Sequence, residues 1–222
     1  GIARLGTYLN DVRIDTDKQI AYITDSATIT NSALIVVDLR SGKKRRRLDG
    51  HPTVQPAPLF TPFIEERPLR LELPLWLTFP YKNGADGIAL SRDRKTLYYC
   101  PLSSNQLYSV SAEALADPAL GDDEIRRTIV HLGTKGFSDG LECDAEGRLY
   151  ASDLENHRIL RSADGRNWEV FVDDPRMTWT DTLSVAADGY LYFTANQINR
   201  LAVFNGGKDR RQPPYFLLKS AI

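Results

Sequence analysis

The sequence predicts an all-β protein built as a β-propeller, and three observations lead to that prediction. A phrase containing two strands recurs four times along the 222 residues. Each copy opens with a short polar step and continues as alternating apolar and polar residues, which is the period of a strand. Turns containing Asp and Gly follow, as expected where hairpins reverse. Repeats of about 40–50 residues with several strands are typical of propeller blades.

The elements can be placed in order along the chain. The four copies open at Asn10-Asp11, Asp86-Gly87, Asp139-Gly140 and Asp181-Thr182, each followed by a second and a third strand. Fourth strands are less regular, and residues 168–172 form the clearest one. Residues 111–120 predict one short helix with Ser111 as its N-cap. Residues 51–82 form a proline-rich insertion, which excludes a helix; we expect it to pack on the propeller and to supply an outer strand.

We expect a single propeller domain over residues 1–222. Propellers have four to eight blades, and the first repeat begins almost at the first residue. We therefore expect a six-bladed parent protein whose C-terminal four blades are present in this chain. A closed ring of four blades is the alternative.

Composition limits the classes of partner. The chain is 42% hydrophobic and 26% charged, with a formal net charge of −1, which argues against broad attraction to nucleic acid or to an anionic membrane. We expect neither partner. The basic run at residues 43–47 predicts a solvated loop or an outer strand. Cys100 and Cys143 lie in different repeats and are expected to be free thiols.

The residues that open the repeats are the strongest candidates for a site. Radial repetition would bring Asn10, Asp11, Asp86, Asp139 and Asp181 to one end of a central channel. Carboxylates gathered in a low-dielectric space repel one another unless a cation or protons neutralise them. Oxygen ligands suit calcium or another divalent cation, with Asp86 and Asp139 as the metal ligands. The alternative is that these aspartates only cap strand ends through hydrogen bonds to the backbone.

Three further features need an interpretation. Trp179, two residues before Asp181, either walls the channel mouth and contacts a ligand or packs in the core. Residues 136–140 match the G-x-S-x-G pattern, but an alternating strand follows instead of the helix that a nucleophile elbow requires. The sequence thus argues against a serine hydrolase. The three histidines, His51, His131 and His157, are not at ligand spacing and are expected at the surface or at corners.

Several strings resemble the major royal jelly protein/Yellow family, bacterial members included. These are the segments at residues 8–26, 48–56, 86–110, 138–161 and 179–197, and the resemblance extends from about Tyr8 to about Tyr215. It implies a six-bladed propeller and makes a secreted or periplasmic location plausible, although the compartment stays open. The family includes nutritive secreted proteins, pigment-pathway proteins and salivary binders of biogenic amines.

A more distant resemblance is to the gluconolactonase/regucalcin propellers. It implies a divalent cation held by an Asp-Gly step, which falls on Asp139-Gly140, and by an Asn-Gly step, which falls on Asp86-Gly87 with Asp in place of Asn. The substrate-side Asn-Asp falls on Asn10-Asp11. The first-blade glutamate of that metal site has no counterpart here.

Three hypotheses follow for the function. The first is a small-molecule binder whose carboxylates pair with a cationic ligand such as an amine, while Trp179 and the aromatic residues of 60–81 stack on it. The second is a calcium-dependent, lactonase-like hydrolase with Asp139 as general base. The third is a non-catalytic platform for protein interactions.

Overall fold

The computed structural model describes residues 2–222, apart from the side chain of Trp76. Four antiparallel sheets lie side by side as the blades of a propeller, with the first strand of each sheet on the inside. This confirms the predicted all-β propeller with about four blades in this chain. A six-bladed parent protein stays a prediction.

The strands follow the chain order within each sheet. Blade 1 contains β1 (Leu9–Asp15), β2 (Ile20–Asp25), β3 (Ala33–Asp38) and β4 (Lys44–Arg47). The insertion contains β5 (Phe63–Ile64), β6 (Arg67–Pro68), β7 (Arg70–Glu72) and β8 (Thr78–Pro80). Blade 2 contains β9 (Ala85–Leu90), β10 (Thr96–Pro101), β11 (Gln106–Ser111) and β12 (Val130–Thr134). Blade 3 contains β13 (Leu141–Cys143), β14 (Leu149–Asp153), β15 (Arg158–Ser162) and β16 (Glu169–Asp173). Blade 4 contains β17 (Thr180–Val185), β18 (Tyr190–Ala195) and β19 (Phe216–Ala221).

Short helices occupy the connections. Helix α1 (Ala112–Ala116) is the predicted one, and the Ser111 hydroxyl accepts a 3.1 Å hydrogen bond from the amide of Ala114. Helix α2 (Asp122–Arg126) follows it and was not predicted. Four 3-10 turns lie at Pro52–Val54, Pro74–Trp76, Ile198–Arg200 and Ala202–Phe204. None of the helices among residues 2–222 is both long and apolar enough to traverse a bilayer.

The insertion packs on the propeller as expected, but the prediction that it supplies an outer strand is wrong. Its strands pair with each other as two separate hairpins, β5–β6 and β7–β8. The outer strand of blade 1 is β4, formed by the basic run. Leu34 and Val36 of β3 pack in the core between blades 1 and 2, and on β4 beside them Lys44 is exposed while Arg47 is buried.

Apolar residues between neighbouring blades form three cores. One joins blade 1 to blade 2 through residues such as Tyr22, Leu34 and Ile88; a second joins blades 2 and 3; a third joins blades 3 and 4. A fourth cluster lies under the insertion and includes Ile64, Leu69, Phe137 and Trp179. The insertion is thus fixed over the end of the propeller where the repeats open.

Candidate functional site

The residues that open the repeats lie at irregularities of the inner strands. On β1, β9 and β17 the register shifts by one residue, so that two inner-strand residues oppose a single residue of the next strand. Such a bulge redirects a side chain away from the regular alternation of the strand. The first residue of each bulged pair is Asn10, Asp86 or Asp181. Asn10, and not Asp11, is therefore the equivalent of the repeat aspartates.

A hydroxyl or thiol residue faces each irregularity. Thr24 Oγ1 accepts the amide of Asp11 at 3.0 Å, and Thr194 Oγ1 accepts the amide of Thr182 at 3.3 Å. In blade 3, Ser152 Oγ accepts the amides of Asp139 and Gly140 at 3.1 and 3.2 Å. Cys100 holds the same place in blade 2. These contacts satisfy amides that a bulge removes from the ladder.

Glycine follows two of the aspartates because neighbouring blades approach closely there. A Cβ atom on Gly87 would overlap the carbonyl oxygen of Asp139, and one on Gly140 would overlap the carbonyl oxygen of Asp181. Any other side chain would push the inner strands apart. The Asp-Gly steps therefore bring three aspartates of successive blades together.

These aspartates line a small pocket of about 60 Å³ at this end of the channel. Its walls are formed by Tyr8, Asn10, Tyr81, Asn83, Asp86, Leu102, Asp139, Trp179, Asp181 and Ile198. None of these ten described residues is Lys, Arg or His. The Oδ1 atom of Asn83 is buried there without a hydrogen-bond partner among the described residues. The pocket therefore presents oxygen acceptors from three blades and from the segment before β9.

Neutral donors from blade 1 hold Asp86. The side-chain amide of Asn10 donates to Asp86 Oδ1, and the Ser26 hydroxyl donates to Asp86 Oδ2 at 2.8 Å. Asp86 is 2% exposed. Burial raises its pKa, and the negative charges of Asp11 and Asp181 raise it further, against the lowering effect of the Ser26 hydroxyl.

Trp179 holds Asp139. Its indole Nε1 donates to Asp139 Oδ2 at 2.6 Å, and its ring packs edge-on against Phe137 at 5.8 Å between ring centroids. Burial and the charges of Asp86 and Asp181 raise the pKa of Asp139 well above its usual range. The two carboxyl groups line the same pocket, and the charge of Asp86 is the largest electrostatic cause of the raised pKa of Asp139.

The remaining two predicted aspartates lie in different surroundings. Asp181 lines the pocket, accepts a 2.8 Å hydrogen bond from Asn196 Nδ2, and has a pKa raised by burial. Asp11 is not part of the pocket wall, and its part in ligand binding stays a prediction. Burial raises the pKa of Asp11 to about 6, although the charge of Arg13 lowers it.

A buried lysine lies behind the pocket. Lys135 is 2% exposed, and its Nζ donates to the carbonyl of Gly136 at 3.2 Å. Burial lowers its pKa, while Cys100, Asp153 and Asp139 raise it. It is not one of the residues that line the pocket. The thiols of Cys100, which is buried, and Cys143, which is half-buried, are both free. This confirms the prediction for the two cysteines.

The structure thus brings together Asn10, Asp86, Asp139, Asp181 and Trp179, and leaves Asp11 outside. Of the aromatic residues expected over the ligand, Tyr81 lines the pocket, whereas Phe60 packs on Phe137 at 5.9 Å between centroids. The side chain of Trp76 lies outside the described part of the chain. Sequence reasoning missed Tyr8, Ser26 and Asn83. The sequence does carry a signal for the residues that face the irregularities of the inner strands. Each stands two residues after a Tyr of the second strand; they are Thr24, Cys100, Ser152 and Thr194.

The residues present fit a divalent cation only in part. In residues 2–222 no three His, Cys, Asp or Glu side chains come together at metal-binding geometry. Calcium takes six to eight oxygen ligands, and the pocket offers three carboxylates, among them the predicted metal ligands Asp86 and Asp139, with the oxygen of Asn83. Three of the four oxygens of that carboxylate pair already accept hydrogen bonds from side chains.

Comparison with known proteins decides the family. The family profile described as major royal jelly protein matches residues 2–212. The chain belongs to this family. No curated protein sequence gives a significant match.

Solved structures share the propeller fold with this royal jelly family chain. A gluconolactonase from Xanthomonas campestris has a TM-score of 0.55 and 16% identity over 89% of this chain and 58% of its own. A luciferin-regenerating enzyme has a TM-score of 0.55 and 16% identity over 86% and 54%. A structure of a nidogen/laminin complex has a TM-score of 0.56 and 15% identity over 86% and 57%. The chain spans less than two thirds of the length of each. At such identities the likeness shows the fold alone.

Proposed function

We propose that this protein binds a small cationic molecule in the acidic pocket at the channel mouth. The observation that carries the proposal is the convergence of Asp86, Asp139 and Asp181 from three successive blades in a pocket without a basic wall residue. Buried carboxylates with raised pKa values hold unfavourable negative charge. A ligand cation that pairs with them would relieve that cost.

The hydrogen-bonding groups of the pocket favour an ammonium over a neutral or anionic group. An ammonium carries up to three N–H donors and no acceptor. The free oxygen of Asn83 lacks a donor, and Asp139 has one side-chain donor, the indole of Trp179. An anion would meet three carboxylates at close range. Acceptors that outnumber donors therefore select a donor-rich cation.

Aromatic side chains add to the attraction for a cation. Tyr8, Tyr81 and Trp179 line the pocket beside the carboxylates. The negative face of an aromatic ring attracts an ammonium, worth roughly 0.5–2 kcal/mol depending on how dry the site is. The phenol of Tyr8 lies near the acids, since burial and then the charges of Asp86, Asp139 and Asp181 raise its pKa.

The proposal is tested by calorimetry with butylamine and its neutral isostere 1-butanol at pH 8. We expect butylamine to bind and 1-butanol to bind at least tenfold more weakly. Asp139→Asn and Asp86→Asn are expected to abolish the preference for the amine. Asp173→Asn, an exposed carboxylate on β16, is the matched control and should bind butylamine as the wild type does. Equal affinity for amine and alcohol would refute the proposal.

A divalent cation is the second candidate, favoured by Asp86 and Asp139, which line one pocket with the free oxygen of Asn83. These residues would hold the metal, which when bound would polarise a carbonyl and activate water. Asp139 would then act as general base in a lactonase-like hydrolysis.

Calorimetry with CaCl₂, MgCl₂ and MnCl₂ distinguishes this candidate. Binding of one ion per chain, lost in Asp86→Asn, followed by hydrolysis of a lactone, would favour the metal-dependent enzyme. If the protein binds neither an ion nor an amine, the remaining hypothesis is a non-catalytic platform for protein interactions.

A further inference from the structure

An apolar groove lies directly beside the acidic pocket. It has a volume of about 450 Å³ and is lined by Thr28, Ile29, Leu71, Phe79, Pro80, Tyr81 and Lys82. This volume falls in the range of small-molecule sites, about 300–1,000 Å³. The groove lies between the loop after β2 and the hairpin β7–β8 of the insertion.

Large apolar side chains in this groove are left open to solvent. Ile29 is 81% exposed and Phe79 is 47% exposed. The single amine in the lining, Lys82, is occupied: its Nζ donates to the carbonyls of Ala57, Pro58 and Phe60 at 2.7–3.1 Å. The groove therefore offers apolar surface, and covering that surface is favourable.

Groove and pocket share a wall and are built from the same two segments. Tyr81 lines both, and its ring is fixed edge-on against Phe204 at 5.1 Å between centroids. The segment at residues 26–29 contacts Asp86 through Ser26 and supplies Thr28 and Ile29 to the groove. The other supplies Phe79 to the groove and Asn83 to the pocket. A molecule that passes Tyr81 would touch both sites.

The two cavities differ in size, so they would accept different parts of such a molecule. The pocket, at about 60 Å³, admits a charged head group and excludes most of a larger body. The groove has several times that volume but no carboxylate in its lining.

We propose that the ligand is an amphiphilic organic cation, with its ammonium head in the acidic pocket and its apolar part in the groove of Ile29, Leu71 and Phe79. This inference rests on the proposed function and adds the class of molecule. Anionic amphiphiles such as fatty acids are excluded from this binding mode, since their head would meet Asp86, Asp139 and Asp181. A neutral lipid would leave the pocket acceptors unpaired.

The test is a series of linear amines, from butylamine through hexylamine to octylamine, measured by calorimetry at pH 8. We expect the affinity to rise about fourfold for each methylene that enters the groove, which corresponds to about 0.8 kcal/mol. If butylamine binds and the longer amines bind no better, this inference fails while the proposed function stands. If no amine binds, both fail.

Variants in the groove sharpen the result. Phe79→Ala and Ile29→Ala are expected to flatten the dependence of the affinity on chain length. Val170→Ala is the control, because Val170 is 51% exposed on β16, away from the groove. Since Phe79 and Ile29 are largely open to solvent, both variants should fold, which far-ultraviolet circular dichroism checks.

Three outcomes would overturn the inference besides a flat series. The first is an unchanged chain-length dependence in both groove variants. The second is a dimer that forms with rising protein concentration and is lost in Phe79→Ala, which would show that a second copy of the chain covers the groove. Binding of octanoate as tight as that of octylamine would also contradict the role of the carboxylates.

Discussion

Two buried aspartates of blade 3, Asp139 and Asp144, stand five residues apart in the sequence, yet their pKa values move in opposite directions. Asp139 opens the blade at the channel mouth, and its pKa is raised. Asp144 begins the hairpin turn between β13 and β14 on the side away from the site. Burial acts to raise the pKa of Asp144, but hydrogen bonds from the backbone and guanidinium of Arg148 lower it overall.

The number and charge of the donors explain the difference. Asp144 accepts hydrogen bonds from the guanidinium of Arg148 at 2.6 Å, from the hydroxyl of Tyr150 at 2.9 Å and from the amides of Glu146 and Arg148 at 3.0 and 2.8 Å. Asp139 receives the indole of Trp179 and otherwise faces carboxylates. One aspartate is fully paired within the fold. The other is paired only in part, as a residue that awaits a ligand would be.

The largest effect is expected from Asp144→Ala. Removing this carboxylate leaves a buried tyrosine hydroxyl and two amides without their acceptor and breaks the ion pair with Arg148, whose guanidinium keeps Glu146. The free energy of unfolding should therefore fall by about 2–4 kcal/mol at pH 7. Urea unfolding measures it. Because the folded pKa of Asp144 is lowered, its stabilisation is present above the unfolded pKa and is lost as the pH falls through the folded pKa. The difference between variant and wild type should therefore shrink towards pH 2.

Asp164→Ala is the control for that experiment. Asp164 is an exposed turn residue whose pKa is lowered by hydrogen bonds from the amides of Asn167 and Arg166. Its loss should cost clearly less than the loss of Asp144. Equal destabilisation by the two substitutions would show that the buried network around Asp144 contributes little beyond an ordinary turn.

Asp139→Asn is expected to raise the free energy of unfolding in the absence of ligand, the opposite of the effect of Asp144→Ala. A raised folded pKa means that wild-type stability is fully present below the unfolded pKa and is lost as the pH rises through the folded pKa. Asparagine keeps an acceptor for the indole of Trp179 and carries no charge. The Tm of the variant should exceed that of the wild type at pH 8, by roughly 2–4 °C for each kcal/mol gained.

Differential scanning calorimetry between pH 5 and pH 8 measures this gain, which should shrink towards pH 5. The same variant should lose amine binding, so that stability rises while function is lost. A Tm below that of the wild type at pH 8 would show that the charge of Asp139 is stabilised by groups other than a ligand, with Lys135 the first to examine.

Sequence reasoning found the blades because their signals are local. The alternation of Leu149-Tyr150-Ala151 and the turn at Gly147, whose φ of +85° suits glycine, are readable without knowledge of the rest of the chain. It found Asp86, Asp139 and Asp181 for the same reason, since repetition carries a local pattern to one axis.

It could not separate Asn10 from Asp11, because a bulge changes which of two adjacent residues faces the axis, and bulges are set by pairing with β2. It missed Asn83 because this residue lies outside the repeat, directly after an insertion whose path is determined by packing of Tyr81 on Phe204 and on the cluster under it. The hairpins of the insertion were mistaken for an outer strand since proline-rich strands of two or three residues leave no periodicity to read.

The smallest effect concerns the pH dependence of amine binding. Butylamine keeps its charge below about pH 9, as lysine does. Any change in its affinity between pH 5 and pH 8 therefore reflects the titration of groups on the protein. The carboxylates must be ionised to bind it, and burial raises the pKa values of Asp86, Asp139 and Asp181. We expect the affinity to rise about tenfold or more over this range. Asp11, Tyr8, Tyr81 and Lys135 are the other titratable groups around the pocket.

Trp179→Phe should move the midpoint of that pH profile upward by about one unit. The indole hydrogen bond lowers the pKa of Asp139, and a hydrogen bond to a charged group is worth about 1.5–3 kcal/mol. Phenylalanine keeps the packing of the ring but has no N–H to donate. Trp168→Phe, on the outer side of blade 3, is the matched control and should leave the midpoint in place. A midpoint that stays unchanged in Trp179→Phe, with affinity lowered equally at every pH, would mean that Trp179 acts only as a wall. The contrast between Asp139 and Asp144 would then depend on burial and on neighbouring carboxylates without any share from the indole.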